Sequence, residues 1–235
     1  MMTKSNFDGL FEVYDEIFFF DTETTGLDHT IDKIIELAIL RVKGKSSKSR
    51  SIDEFDVFIK QDISLPKIIT DITGITDTEL NEKGISRFSA AEKAFEFFGN
   101  KRKLLVAHNA NFDLNFLSSL FRCDQKLFDW DKTDVIDTLT IFKDRHSYPH
   151  KLSDAVKAYE LKDSVKKYHR AIDDSKATFL VFCAMCEENN DIQKYVNLFG
   201  YNPKYELHKN EDDKRIKYIG QEYNPKIKLY NLCHR

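Results

Sequence analysis

The chain has 235 residues, of which 41% are hydrophobic and 32% are charged, and this composition is typical of a globular protein with a full core. Its net charge of −3 excludes a general electrostatic attraction to nucleic acid, so any such contact must be local. Four scattered cysteines are too few for a disulfide scaffold, and no apolar run approaches membrane length, so we expect a cytoplasmic protein without a membrane segment.

The first predicted strand ends in two acidic residues. Residues 17–20 (Ile-Phe-Phe-Phe) are apolar without alternation, which is typical of a strand buried on both faces of a sheet. Asp21 and Glu23 follow, and the two-residue period of a strand directs both carboxylates to one side. Two acids at the end of a buried strand repel each other and favour a divalent cation, although a strand end with solvated acids has the same pattern.

Further strands and helices alternate along the chain. Apolar or alternating runs predict four more strands, at residues 34–40, 55–59, 104–107 and 133–137. Helical spacing predicts helices from residue 77 and at residues 88–98, 111–121, 138–142, 151–159 and 171–186. The order of these elements favours an α/β fold, with a mixed five-stranded sheet flanked by helices on both faces. In such folds, sites form at the carboxyl ends of strands.

Two later segments place acids at the starts of predicted helices. His108 and Asn109 follow a predicted strand, and Asp113 would lie about one turn into the next helix. His169 lies just before the longest predicted helix, and Asp174 lies in its first turn. A helix N-terminus favours a carboxylate by itself, so a capping role is the alternative for Asp174.

Together these segments resemble the three motifs of the DEDDh branch of the DEDD exonucleases, whose fold is ribonuclease H-like. The matching sequences are DTETTGL from Asp21, HNANFDL from His108 and HRAIDD from His169. The resemblance covers roughly residues 15–188 and, within the branch, is greatest to the proofreading (epsilon) subunits of bacterial DNA polymerase III. It implies a metal-dependent 3′–5′ exonuclease that trims single-stranded DNA ends to nucleoside 5′-monophosphates, as proofreader for a replicative polymerase.

The resemblance also implies the roles of the acidic residues and of one histidine. Four carboxylates around an anionic phosphodiester would require cations, and two Mg²⁺ or Mn²⁺ ions could activate water and stabilise the leaving oxygen. By resemblance, Asp21, Glu23 and Asp174 ligate the metal directly, while Asp113 acts largely through water. His169 is then the general base, since an imidazole pKa of about 6.5 suits that proton transfer.

Substrate contacts are implied at five further positions. Thr24 would meet the terminal 3′-hydroxyl, and Leu27 would wedge against the last bases, with core packing as its alternative. His108 and Asn109 would line the pocket. Thr73 stands where proofreading relatives often carry histidine, so one contact to the terminal nucleotide would differ in this chain.

The composition changes near residue 190, which predicts an exonuclease domain over residues 1–190 and a C-terminal extension over residues 191–235. The extension is rich in tyrosine and mildly basic, and it could pack on the domain or dock a DNA polymerase subunit. Two other functions remain open. One is a free-standing exonuclease for RNA maturation or DNA repair, since the site does not separate ribose from deoxyribose. The other is a non-catalytic nucleic-acid-binding module.

Overall fold

The computed structural model describes residues 6–44, 47–123, 129–162, 170–222 and 226–233. The strands in these ranges are β1 (Glu16–Thr24), β2 (Ile34–Lys43), β3 (Ser51–Phe58), β4 (Lys103–Ala107), β5 (Thr133–Asp137), β6 (Leu198–Tyr201) and β7 (Lys217–Gly220). The α-helices are α1 (Asn6–Leu10), α2 (Lys67–Thr73), α3 (Asp77–Lys83), α4 (Arg87–Phe98), α5 (Ala110–Arg122), α6 (Thr138–Arg145), α7 (Leu152–Ala158) and α8 (Ala171–Glu188). None of these described helices is both long and apolar enough to cross a membrane.

The predicted mixed five-stranded sheet is confirmed. Its strand order is β3-β2-β1-β4-β5, so β1 is the central strand. β1 runs antiparallel to β2, and β2 runs antiparallel to β3, whereas β4 is parallel to both β1 and β5. The order of successive strands therefore reverses between β1 and β4, and α/β sheets commonly place their sites at such a switch point.

The alternation of side chains along β1 separates the core into two layers. Ile17 and Phe19 pack with α1, α7 and α8, while Phe18 and Phe20 pack with α4 and α5 on the other face. All four side chains are fully buried, as the apolar run predicts. Because the alternation continues, Asp21 lies on the α8 face of the sheet, followed two residues later by Glu23.

Asp137, the last residue of β5, joins the starts of two helices. Its carboxylate accepts the Leu139 amide (3.1 Å) and the Thr140 amide (3.3 Å) at the N-terminus of α6. It also accepts the amides of Asn109 (2.9 Å) and Ala110 (3.2 Å) where α5 begins. The starts of α5 and α6 therefore meet at one edge of the sheet.

Helix α4 lies where the spacing predicts it, but its buried face agrees with the prediction only in part. The sequence places Phe88, Ala91, Phe95 and Phe98 on the apolar face. Ala91 and Phe98 are buried, whereas Phe88 is exposed and Phe95 only partly buried. The buried stripe runs through Ala90, Ala91, Ala94 and Phe98. Small alanine side chains allow the helix backbone to approach its neighbours closely. The buried face of α4 is therefore the one that packs most closely against the neighbouring elements, not the one with the largest apolar side chains.

Residues beyond 190 contribute to both layers of the core. Tyr195 and Leu229 pack in the α8 layer, and Phe199 packs in the layer of α4 and α5. β6 and β7 form a small parallel sheet next to β5. The amide of Asn197, just before β6, donates a hydrogen bond to the carbonyl of Val135 on β5 (2.8 Å). The described part of the extension is therefore packed on the domain, while the division at residue 190 and a docking role stay predictions.

We expect Leu229→Ala to lower the free energy of unfolding by about 2–5 kcal/mol, because the substitution leaves a cavity in the core. Leu229 is 1% exposed, and its amide donates to the Asp144 carboxylate (2.7 Å). Urea unfolding followed by circular dichroism measures the change. Ile227→Ala is the matched control, since Ile227 is 43% exposed and its truncation should cost less than about 0.5 kcal/mol. Equally small losses in both variants would show that the extension does not stabilise the core.

Candidate active site

Three carboxylates meet at the carboxyl end of the central strand. The side chains of Asp21 and Glu23 project from β1 on the face that α8 covers. Asp174 lies in the first turn of α8, where the helix dipole favours a negative charge. One carboxylate oxygen from each residue lies within 4.8 Å of the others. The structure therefore brings together three of the four predicted metal-binding acids, which we call the carboxylate group.

The fourth predicted acid, Asp113, lies beside the carboxylate group and faces Thr22. Its Oδ1 accepts hydrogen bonds from the Thr22 amide (3.0 Å) and the Thr22 hydroxyl (2.7 Å). Thr22 stands between Asp21 and Glu23 in the chain and points to the opposite face of the sheet. Asp113 is therefore fixed on α5 close to the other acids but outside the group of three, and its action through water stays a prediction.

Burial and mutual repulsion raise the pKa values of these acids. The pKa of Asp21 lies well above its ordinary value because the group is buried and, secondly, because Asp113 and Asp174 repel its charge. Burial, followed by repulsion from Asp174 and Glu36, raises the pKa of Glu23 to about 8. Burial also raises the pKa of Asp113 to about 7, although hydrogen bonds from β1 oppose the shift. Raised pKa values of this kind mean that the ionised forms of these acids are disfavoured near neutral pH unless a cation offsets their charge.

The donor set of the carboxylate group fits a divalent metal ion. Carboxylate oxygens are the ligands that Mg²⁺ and Mn²⁺ prefer. The three oxygens lie close enough, within 4.8 Å of one another, to share one ion. A bound cation would also offset the repulsion that raises the pKa values of these groups.

A further acid, Glu36, anchors the start of α8. It is fully buried and lies directly opposite Glu23 in the β1–β2 ladder. Its carboxylate accepts hydrogen bonds from the Arg170 guanidinium at 2.9 to 3.2 Å and from the Ala171 amide at 3.0 Å. Because Ala171 is the first residue of α8, this clamp fixes the helix start, and with it Asp174, against the sheet.

Neither the clamp that Glu36 forms nor the proximity of Asp56 to Glu36 is predicted from the sequence. Glu36 within the otherwise apolar run 34–40 is a signal that could have indicated an ion pair, since a buried carboxylate needs a charged partner. Asp56 lies on β3, opposite Ala38. Burial, followed by repulsion from Glu36, raises the pKa of Asp56 to about 6. No local pattern indicates this proximity, because it depends on the register between β2 and β3.

Two of the five residues predicted to contact substrate line a cavity of about 600 Å³. One of them, Leu27, is 86% exposed, so the alternative of core packing is wrong for this residue. The other, Asn109, has a left-handed backbone conformation with φ of 73°, which asparagine tolerates better than most residues. This conformation directs its amide to the Asp137 carboxylate, while its side chain remains exposed.

Two other predicted substrate residues, Thr24 and Thr73, form hydrogen bonds within the protein. The Thr24 hydroxyl donates to the Gly26 carbonyl (2.6 Å), just after the end of β1. The Thr73 hydroxyl donates to the Ile69 carbonyl (2.9 Å) and accepts the Ile75 amide (3.1 Å) at the end of α2. Their contacts with substrate stay predictions.

Of the two predicted histidines, the structure describes His108 but not His169. The ring nitrogens of His108 lie 3.0 Å from the Thr138 hydroxyl and 3.1 Å from the His150 carbonyl oxygen. Burial lowers the pKa of His108, which favours the neutral ring. His108 therefore links the end of β4 to α6 and to the segment before α7. The predicted general base, His169, lies outside the described residues, which resume at Arg170.

Solved structures with a similar fold come from Escherichia coli exonuclease I. The zinc-bound complex with single-stranded DNA matches with a TM-score of 0.65 and 18% identity, covering 77% of this chain and 42% of that chain. The metal-free form of the complex matches with a TM-score of 0.64 and 19% identity, covering 77% of this chain and 41% of that chain. This likeness confirms the predicted ribonuclease H-like α/β fold.

Sequence relatives lead to the family. The PolC-type DNA polymerase III of Caldanaerobacter subterraneus subsp. tengcongensis is 34% identical over 181 residues, which cover 75% of this chain and 12% of that protein. The PolC-type enzyme of Bacillus subtilis is 35% identical over 175 residues, with coverage of 72% and 11%. This chain therefore spans a small part of the length of these relatives. Residues 18–182 match the exonuclease family model RNase_T, and the protein accordingly belongs to the RNase_T family of exonucleases.

Proposed function

We propose that this exonuclease removes nucleotides from the 3′ ends of single-stranded DNA and releases nucleoside 5′-monophosphates. The observation that carries the proposal is the convergence of Asp21, Glu23 and Asp174 within 4.8 Å at the end of β1. The buried Asp113 adjoins them. The family match and the single-stranded DNA in the exonuclease I complexes support this substrate class.

The carboxylate group would hold two Mg²⁺ or Mn²⁺ ions. Asp21, Glu23 and Asp174 would be direct ligands, and Asp113 would act through water. Such ions, when bound, stabilise negative charge on the phosphodiester and lower the pKa of the attacking water. In their absence, the charges of the ionised acids would repel an anionic substrate.

The protein's own residues supply orientation and proton transfer. The Glu36–Arg170 clamp holds α8 so that Asp174 faces β1. His169 directly precedes Arg170 in the chain, and we assign it the role of the base that takes the proton of the attacking water. Leu27, which lines the cavity, would separate and orient the last bases of the strand.

Proofreading for a replicative polymerase is the biological role that we infer, because the PolC-type relatives are DNA polymerases. One observation favours a free-standing exonuclease for RNA maturation or DNA repair as the second candidate. Two side chains of the extension, Tyr195 and Leu229, are buried against the domain, which reduces the apolar surface that the extension offers to a polymerase. The alternative of a non-catalytic module requires a missing ligand, whereas all four predicted acids are present.

We expect Asp21→Asn and Asp174→Asn to lower the rate of mononucleotide release by about 100-fold or more, because each removes a metal ligand. End-labelled single-stranded DNA with Mg²⁺ provides the assay. Asp173→Asn is the matched control, since Asp173 also lies in the first turn of α8 but outside the carboxylate group. Equal rates in all three variants would place the site elsewhere, and internal cleavage products would contradict an exonuclease.

The stability of the metal-free protein should fall as the pH rises from about 4.5 to about 8. Folding raises the pKa of Glu23 from 4.5 to about 8, so the folded state binds more protons than the unfolded chain in this window. Because metal ions require the ionised carboxylates, Mg²⁺ should raise the melting temperature more at pH 8 than at pH 6.

Thermal unfolding with Mg²⁺ or with EDTA at both pH values measures these changes. Glu23→Gln should weaken both the pH dependence and the response to Mg²⁺, because the side chain no longer titrates. A wild-type melting temperature that Mg²⁺ does not change at pH 8 would contradict a metal site in the carboxylate group.

Matched DNA and RNA strands test which nucleic acid is the substrate. We expect faster release from DNA, because the PolC-type relatives are DNA polymerases. Initial rates on strands of the same sequence give the comparison. Equal or faster release from RNA would favour the second candidate.

A further inference from the structure

The cavity that Leu27 and Asn109 line has a second wall, formed by the C-terminal extension. The first wall consists of the loop after β1 and the starts of α5 and α6. The second wall consists of residues 199–202 and 205–208 together with Tyr218. The family match ends at residue 182, so this wall lies outside the matched region.

Hydrogen bonds fix one end of the second wall to α5. The Asn111 and Asn115 side-chain amides donate to the His208 carbonyl at 2.8 Å and 3.0 Å. The Tyr218 hydroxyl donates to the Asn111 Oδ1 (2.7 Å). Asn115 also accepts a hydrogen bond from the buried Asn210 side chain (3.1 Å).

The other end of the second wall is fixed to α6. The Gly200 amide donates to the Thr140 hydroxyl (2.8 Å), and the Gln221 side-chain amide donates to the Thr140 carbonyl (2.8 Å). A side chain at position 200 would clash with the buried Gln221, since a Cβ there would lie 2.1 Å from the Gln221 Oε1. The wall is therefore formed in advance, which lowers the entropic cost of binding a ligand.

Large apolar side chains of both walls are exposed in the cavity. Tyr205 of the second wall is 70% exposed, and Leu27 of the first wall is 86% exposed. Phe112, at the start of α5, lines the same cavity. Exposed aromatic and aliphatic groups in a cleft match the flat faces of nucleobases, which stack on aromatic side chains in single-strand sites.

The charges of the cavity lining contribute less to binding than its apolar groups do. Lys143 of α6 lines the cavity but is only 9% exposed, so the site depends on base stacking more than on a phosphate contact. Asp137 also lines it, but its carboxylate is already hydrogen-bonded to amides that include that of Asn109. The other two acids of the lining, Asp28 and Glu206, are exposed to solvent.

We propose that the C-terminal extension completes a binding site for a nucleobase of the single-stranded substrate, with Tyr205 as the stacking residue. The proposal rests on the proposed exonuclease function and adds to it a substrate-binding residue outside the family match. Every base has a face that can stack on an aromatic ring. The site therefore strengthens the binding of any strand that reaches the cavity, and it does not select a sequence.

Kinetics of two Tyr205 variants test the proposal. On a strand of about ten nucleotides, Tyr205→Ala should raise KM about tenfold through the loss of one base stack, with kcat changed much less. Tyr205→Phe should keep the wild-type KM, because the ring is retained. Phe88→Ala is the matched control, since Phe88 is an exposed aromatic residue on α4 outside the cavity lining. The exposure of Tyr205 makes loss of folding in the variants a minor concern.

Substrates with a single abasic site give a readout that a merely structural role would not change. The abasic site is placed at the second, third or fourth nucleotide from the 3′ end. In the wild type, one of these positions should raise KM about tenfold, whereas in Tyr205→Ala the same position should add nothing, because the stack is already absent.

Two failures of this experiment are distinguishable. Additive effects of Tyr205→Ala and the abasic site at every position, or an unchanged KM in Tyr205→Ala, would overturn the stacking site and leave the exonuclease function intact. A wild-type protein that releases no mononucleotide from any strand would overturn the exonuclease function itself.

Discussion

Repulsion among the partly buried carboxylates at the end of β1 is the constraint that the surrounding structure must meet. Asp21 and Glu23 are held there because the alternation that buries Ile17 and Phe19 under α8 continues to the strand end. Repulsion from Asp174 raises the pKa values of both acids further. A folded state that holds such charges together loses stability at the site, and the loss is compensated by packing on both faces of the central strand.

The Glu36–Arg170 pair connects this constraint to the geometry of the site. A buried ion pair adds little net stability, because desolvation offsets the attraction between the charges. Its directional hydrogen bonds, however, fix the first residue of α8 against the sheet. The Arg170 guanidinium also lies 5.0 Å above the Phe58 ring, which orients the clamp from a third strand. The pair therefore determines where Asp174 points rather than how stable the fold is.

The sequence by itself determined the five strands of the main sheet and the acidic residues that three of its elements bring together. The apolar run 17–20 fixed the buried central strand, because a period of two residues is a local property of the backbone. The acids Asp21, Glu23 and Asp174 were identified because each lies at a strand end or helix start that the sequence marks. The order of strands and helices also indicated the mixed sheet, since connections between such elements follow few topologies.

Only the tertiary structure decided which distant residues meet. Asp56 approaches Glu36 through the register of β2 and β3, and that register is a property of two strands together. Asp113, on α5, accepts a hydrogen bond from the hydroxyl of Thr22, on β1, and the two residues are 91 positions apart in the chain. Tyr205 reaches the cavity because the extension folds back onto α5 and α6. Such contacts arise from burial and hydrogen bonding between separate segments, and these leave no periodic signal in the sequence of either segment.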